Sequence, residues 1–99
     1  MKKNFILDGF TQIANLLITD TEISDGAFRT YMVLIMHDLE RKYVVWPGQS
    51  TIANYRGKSS RKTIITHLQE LERLSLIEKD KRQSEYSGYL HNEYHLVYE

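Results

Sequence analysis

There is no cysteine among these 99 residues, one proline, one tryptophan and five glycines. Without thiols the chain can form neither disulfides nor thiolate metal sites. No stretch approaches the roughly 18 consecutive apolar residues that a membrane helix needs. Lys2-Lys3-Asn4 precedes an apolar run of only three residues, which is not a signal-peptide pattern, so a cytoplasmic protein is expected. A glycine-rich phosphate loop, a serine with a neighbouring His-Asp arrangement and a recognisable carboxylate pair are also missing. Of the four histidines, His91 and His95 alone share an i, i+4 spacing, and they fall in a strand-like stretch where that spacing does not converge. No metal, cofactor, small-molecule substrate or enzymatic activity is expected.

A net charge is absent too, since 13 basic and 13 acidic residues cancel. Nucleic-acid-binding domains are usually basic overall, so the distribution matters more than the total. Residues 1–40 sum to −3, residues 41–82 to +6 and residues 83–99 to −3. The positive charge is therefore concentrated in one central segment. Acidic flanks weaken non-specific attraction and leave the local patch usable, which predicts moderate affinity with a strong salt dependence.

That central segment also carries the clearest pattern. In residues 50–77, STIANYRGKSSRKTIITHLQELERLSLI, two helices are separated by a basic turn. Ile64, Leu68 and Leu71 recur at i, i+4 and i+7 and predict a core-facing stripe, with Leu74 at its edge. Lys62, Thr66, Gln69 and Arg73 point the other way, with Ser59 and Thr63 beside them. Ile65 falls between the two faces and is expected to widen the core rather than to touch a thymine methyl. Ser59 or Ser60 can cap the helix. Arg61 and Lys62 then occupy the first turn, where the helix dipole disfavours cations. Local stability does not explain them, whereas an anionic partner does, because a helix start flanked by cations binds phosphate; a solvated basic face is the alternative.

Before this helix, Trp46 to Ala53 reads as a strand end running into a short helix, with Gly48 at the N-cap, Ile52 and Ala53 facing inward and Gly57 supplying a positive-φ turn. Two helices so short and close must lean on a third. Asp25 to Glu40 is that third helix, with Ser24 as N-cap and Arg41-Lys42 beyond its end. Its apolar residues, including Met32, Met36 and Leu39, nearly encircle the cylinder and predict burial. Leu76-Ile77 starts a strand, Glu93 to Tyr98 alternates as a second, and Val44-Val45-Trp46 can add a third. Residues 82–92 lack periodicity and read as a mobile hairpin tip from which Tyr86, Tyr89 and His91 can donate to phosphate. There is no internal repeat or linker, and one domain spans 1–99: an extended leading segment and short helix over 1–23, then core and hairpin over 24–98.

The stretches Phe10–Ile13, Ile23–Phe28, Trp46–Ala53, Ser60–Ile64, Leu68–Ile77 and Asn92–Leu96, in this order and spacing, resemble the winged helix-turn-helix domains of plasmid and phage replication initiators and of small phage or plasmid regulators. The similarity runs from about Phe10 to Val97. It implies a mainly α fold with a small β-sheet (α+β), built as a three-helix core plus a β-hairpin wing. The implied function is sequence-specific binding of double-stranded DNA, with a recognition helix over about 60–75 in the major groove, in replication initiation or transcriptional regulation. Arg61, Lys62, Thr63 and Thr66 are then the candidates for base or nearby backbone contact, Ser60 stands at the start of that helix, and Arg56, Lys58, Ser59, Lys81 and Arg82 are the candidates for phosphate. A homodimer is compatible with this reading and not required by it. The family usually has an apolar residue where Arg56 stands and another near Lys58, and Tyr55 is expected to fill the space that Arg56 leaves. A protein-interaction module within a replication or transcription assembly, without DNA contact, is the alternative.

Overall fold

The computed structural model describes residues 9–57, 60–83 and 90–98. Among them the chain forms four helices and a three-stranded antiparallel sheet, in the order α1 (Asn15–Thr19), α2 (Asp25–Met36), β1 (Val44–Val45), α3 (Gln49–Arg56), α4 (Arg61–Arg73), β2 (Ile77–Gln83) and β3 (Leu90–Leu96). From α2 onward this is the expected order. Residues 9–13 are extended or irregular, and α1 follows and buries Leu17.

Ser24 begins α2 as anticipated, its side chain accepting from the Ala27 N–H, while Asp25 sits in the first turn where the dipole favours it. The helix stops at Met36 rather than Glu40. Asp38 explains the early stop: one carboxylate oxygen accepts from the Lys42 N–H at 2.8 Å and the other from the Tyr43 N–H at 2.8 Å. The chain turns around this carboxylate with Arg41 and Tyr43 at positive φ, and Asp38 itself is buried. Two apolar residues consequently leave the expected core. Met36 is 37% exposed on the last helical turn and Leu39 88% exposed beyond it.

The core is made where α2, α3 and α4 cross. Ala27, Tyr31, Leu34, Ile52, Ile64 and Leu71 are wholly buried there, and Met32 packs against them from the edge. The apolar stripe of α4 therefore faces inward as its period requires. Beyond Arg73 the Leu76 N–H bonds the Leu71 carbonyl and the Ser75 N–H the Glu72 carbonyl, a Schellman closure with Ser75 at φ 61°. This turns the chain directly into β2.

β3 lies between β1 and β2, pairing Val45 with Tyr94, Ile77 with Leu96 and Lys81 with Asn92. Side chains directly opposite share a face, so Val45, Ile77, Tyr94 and Leu96 cover the helices, and the same face continues outward through Lys79 to Lys81. Arg82, Gln83 and residues 90–92 belong to paired strands and not to the expected tip; Tyr86 and Tyr89 lie outside the described residues. Tyr31 joins the sheet end to α2: its hydroxyl lies 2.8 Å from the Leu76 carbonyl and 2.6 Å from that of Val97, and accepts from the Val97 N–H at 3.0 Å.

Burial pushes the Tyr31 phenol up to about 12, and the Tyr98 phenol also reaches about 12, through burial first and then through its hydrogen bond to Asp38. Unfolded tyrosines ionise near pH ~10, so above that pH the native state holds protons that the unfolded chain has released. Stability contributed by these phenols is present below pH ~10 and is lost as pH rises toward about 12. Denaturant midpoints measured from pH 9 to 12 should fall across that window, and Tyr98→Phe should make the fall shallower.

Candidate nucleic-acid interface

Ser60 is the cap of α4, its side chain accepting from the Thr63 N–H at 3.4 Å. Gly57, at φ 68°, closes α3 just before it, a conformation that a Cβ would strain. Between them, Lys58 and Ser59 lie outside the described residues. Two of the expected features of this turn, the Gly57 conformation and a serine cap, are thus in place.

Around α4 the side chains divide as their spacing predicts. Arg61, Lys62, Thr66, Gln69 and Arg73 are exposed, and Thr63 is half-buried at the margin. The Thr66 hydroxyl donates to the Lys62 carbonyl at 3.0 Å, which leaves its oxygen as an outward acceptor. Ile65 corrects the expectation of a wider core: it is 37% exposed and adds an apolar contact to the polar face. The two acidic residues of α4 are engaged at its margins. Glu70 accepts from the Ser24 N–H at 2.8 Å and from the Ser24 hydroxyl at 2.7 Å, and Glu72 lies 3.7 Å from Lys79 Nζ. The Ser24 bonds are the main reason the Glu70 carboxyl is held below the usual carboxylate range.

At the N-terminal end of α4, Arg61 and Lys81 line one open cleft with Trp46, Pro47, Gly48, Gln49 and Asn92. Arg61 Nη2 donates to Gln49 Oε1 at 3.1 Å, tying the starts of α3 and α4 together. Lys81 arrives by way of the sheet, because the helix-facing side of β2 outruns the helices it covers. Arg82 also lies on β2, but only its backbone is described. Sequence reading missed Trp46, Gln49 and Asn92 as neighbours of this cation pair. An exposed tryptophan followed by Pro-Gly at a helix start was the available signal, Trp46 being 63% exposed.

Arg56 is the expected phosphate ligand that the fold uses elsewhere. Its Nη1 donates to Thr30 Oγ1 at 2.7 Å and to the Gly26 carbonyl at 3.0 Å and lies 2.9 Å from His67 Nδ1, beneath the outward face of α4. The position is inward-facing, as an apolar residue there would be, and the long stem reaches polar groups on α2 and α4. Burial, and then the charge of Arg29, draw the guanidinium below its usual range. Tyr55 does not fill that space: it is 58% exposed and meets His37 edge-on, with ring centroids 5.3 Å apart.

Among the described residues no group of three or more His, Asp or Glu side chains is placed to hold a metal, and no helix is long and apolar enough to cross a membrane. A family model described as a helix-turn-helix domain matches residues 21–77, which takes in α2, β1, α3 and α4. No curated protein and no solved structure matches the chain.

Proposed function

This chain belongs to the helix-turn-helix domain family, and on that premise we propose that it binds double-stranded DNA sequence-specifically by laying α4 in the major groove. One observation carries the reading: the first turn of α4 exposes Arg61 and Lys62 at the positive end of a helix dipole, with Lys81 lining the same cleft as Arg61. That arrangement is locally unfavourable until phosphates neutralise it. Lys62, Thr63 and Thr66 then contact bases or the adjacent backbone, Arg61 and Lys81 grip phosphate across the cleft, and Ile65 offers an apolar contact to a thymine methyl. The pair β2–β3 acts as a wing. Lys58, Ser59 and Arg82 extend the phosphate contacts from the turn and the wing. The biological setting is replication initiation or transcriptional regulation in a plasmid or phage context, in the cytoplasm.

A second reading, docking on a protein of a replication or transcription assembly, is favoured by the apolar surface around the end of α2, where Phe10, Met36 and Leu39 line one exposed hollow. Gel shifts on selected and random duplexes across a salt series separate the two. DNA binding gives a linear loss of log affinity with log salt, and a pure adaptor gives no binding. Lys62→Ala should cost about 1–3 kcal/mol on the selected duplex and much less on a random one if Lys62 reads a base. Equal losses on both would make it a phosphate contact.

A further inference from the structure

A polar junction occupies the crossing of the three core helices. Arg56 from α3 meets Gly26 and Thr30 of α2 and His67 of α4, and Thr30 Oγ1 itself lies 3.2 Å from His67 Nδ1. Thr30 is wholly buried, Arg56 and His67 are half-buried, and Arg56 Nε is buried without a partner among the described residues. A guanidinium offers only N–H donors, so the 2.9 Å approach of Arg56 Nη1 is a hydrogen bond when Nδ1 presents a bare lone pair. The neutral ring then carries its proton on Nε2. That edge is pressed against α2 where Gly26 has no side chain: a Cβ there would stand 2.4 Å from Nε2.

We propose that His67 is a positioning residue that, with Arg56, fixes how α4 sits on α2 and α3, and that protonation of its ring loosens this seat. A proton on Nδ1 sets one N–H against another and a second cation against the guanidinium. Among the described residues the groups set against the ring are Arg56 on α3, Thr30 and Gly26 on α2, and Glu70 one turn along α4, while the charge of Arg29 on α2 acts on Arg56. Glu70 favours the charged ring, but its carboxylate is already engaged by Ser24. Arg56, in direct contact, opposes it.

The sign follows. An unfolded histidine takes up its proton near pH ~6.5, while the seated ring resists it, so below that pH the unfolded state binds more protons and stability falls as pH falls. The effect on stability stands independently of the proposed function, whereas the effect on duplex affinity rests on it.

Long-range proton–nitrogen spectra of the whole chain at pH 7.5 should show His67 with a bare Nδ1 and a protonated Nε2. Thermal midpoints should drop by about 5–10 °C between pH 7.5 and 5.5. His67→Gln, whose amide oxygen can still accept from Arg56 without titrating, should flatten that drop. Duplex affinity should fall at least about threefold more for the wild type than for His67→Gln over the same pH step, in line with a limit of about tenfold per pH unit for one linked proton. A protonated Nδ1 at pH 7.5, or an unchanged pH slope in His67→Gln, overturns the proposal. If His67→Gln does not fold, the tautomer in the wild type decides. If no duplex binds at any pH, the DNA reading fails, and the spectra and midpoints still judge the junction.

Discussion

The double variant Arg61→Glu/Lys62→Glu should lose duplex binding by about 100-fold or more while becoming slightly more stable. The opposite signs make the result diagnostic. Both residues stand in the first turn of α4, immediately after the Ser60 cap, where backbone N–H groups point outward and carry partial positive charge. Cations raise the energy of the free protein there and anions lower it, each by about 0.3–1 kcal/mol at an exposed site. The hydrogen bond sacrificed among the described residues, Arg61 to Gln49, is exposed and contributes little. Toward DNA the balance reverses, since two phosphate-neutralising charges become two repelling ones and the log-log salt slope should shrink by about two. Thermal unfolding and a salt-dependent gel shift on the same preparation read both signs. Retained binding would remove α4 from the interface, and a marked drop in stability would assign Arg61 and Lys62 to the fold instead.

Asp38→Ala should be the most damaging single substitution among the polar residues, costing about 3–5 kcal/mol. The Asp38 carboxylate accepts three hydrogen bonds at 2.8 Å, from the Lys42 and Tyr43 N–H groups and from the Tyr98 hydroxyl. Alanine leaves two backbone donors and a buried phenol without that partner, in a turn already strained by positive φ at Arg41 and Tyr43. The same turn delivers β1 to β3, because the Tyr43 carbonyl accepts from the Leu96 N–H at 2.8 Å. The loss therefore spreads into the sheet. A thermal midpoint lower by roughly 12–30 °C is expected. Tyr98→Phe isolates the phenol's share and should cost only about 1 kcal/mol. If the two variants were equally destabilised, the backbone donors would not depend on the carboxylate.

Asp38 also shows where sequence reading reaches its limit. In DGAFRTYMVLIMHDLE the apolar period continues past Met36, so propensity alone extends the helix to Glu40 and buries Leu39. What ends it is a side chain folding back on residues four and five positions later, a bond that periodicity cannot register. Arg56 is a comparable case. A cation beside a basic turn reads as a phosphate ligand, yet Thr30, His67 and the Gly26 carbonyl, brought near only by the helix crossing, take it inward. Ile65 was ambiguous on the wheel, and packing left it outside.

What the amino-acid order determined alone was periodic or local. The inward stripe of Ile64, Leu68 and Leu71, the caps at Ser24 and Ser60, the left-handed Gly57 and the exposed cations at the start of α4 each depend on neighbours within a turn or two. Tertiary structure decided every partnership across long separations: Tyr31 with Leu76 and Val97, Ser24 with Glu70, Arg56 with His67, and Lys81 with Arg61 across one cleft. The physical reason is directionality. Burial of a stripe needs only the right period, whereas a hydrogen bond or a shared cleft needs two distant groups within ångströms of each other, and only the packed arrangement of helices and sheet fixes that distance.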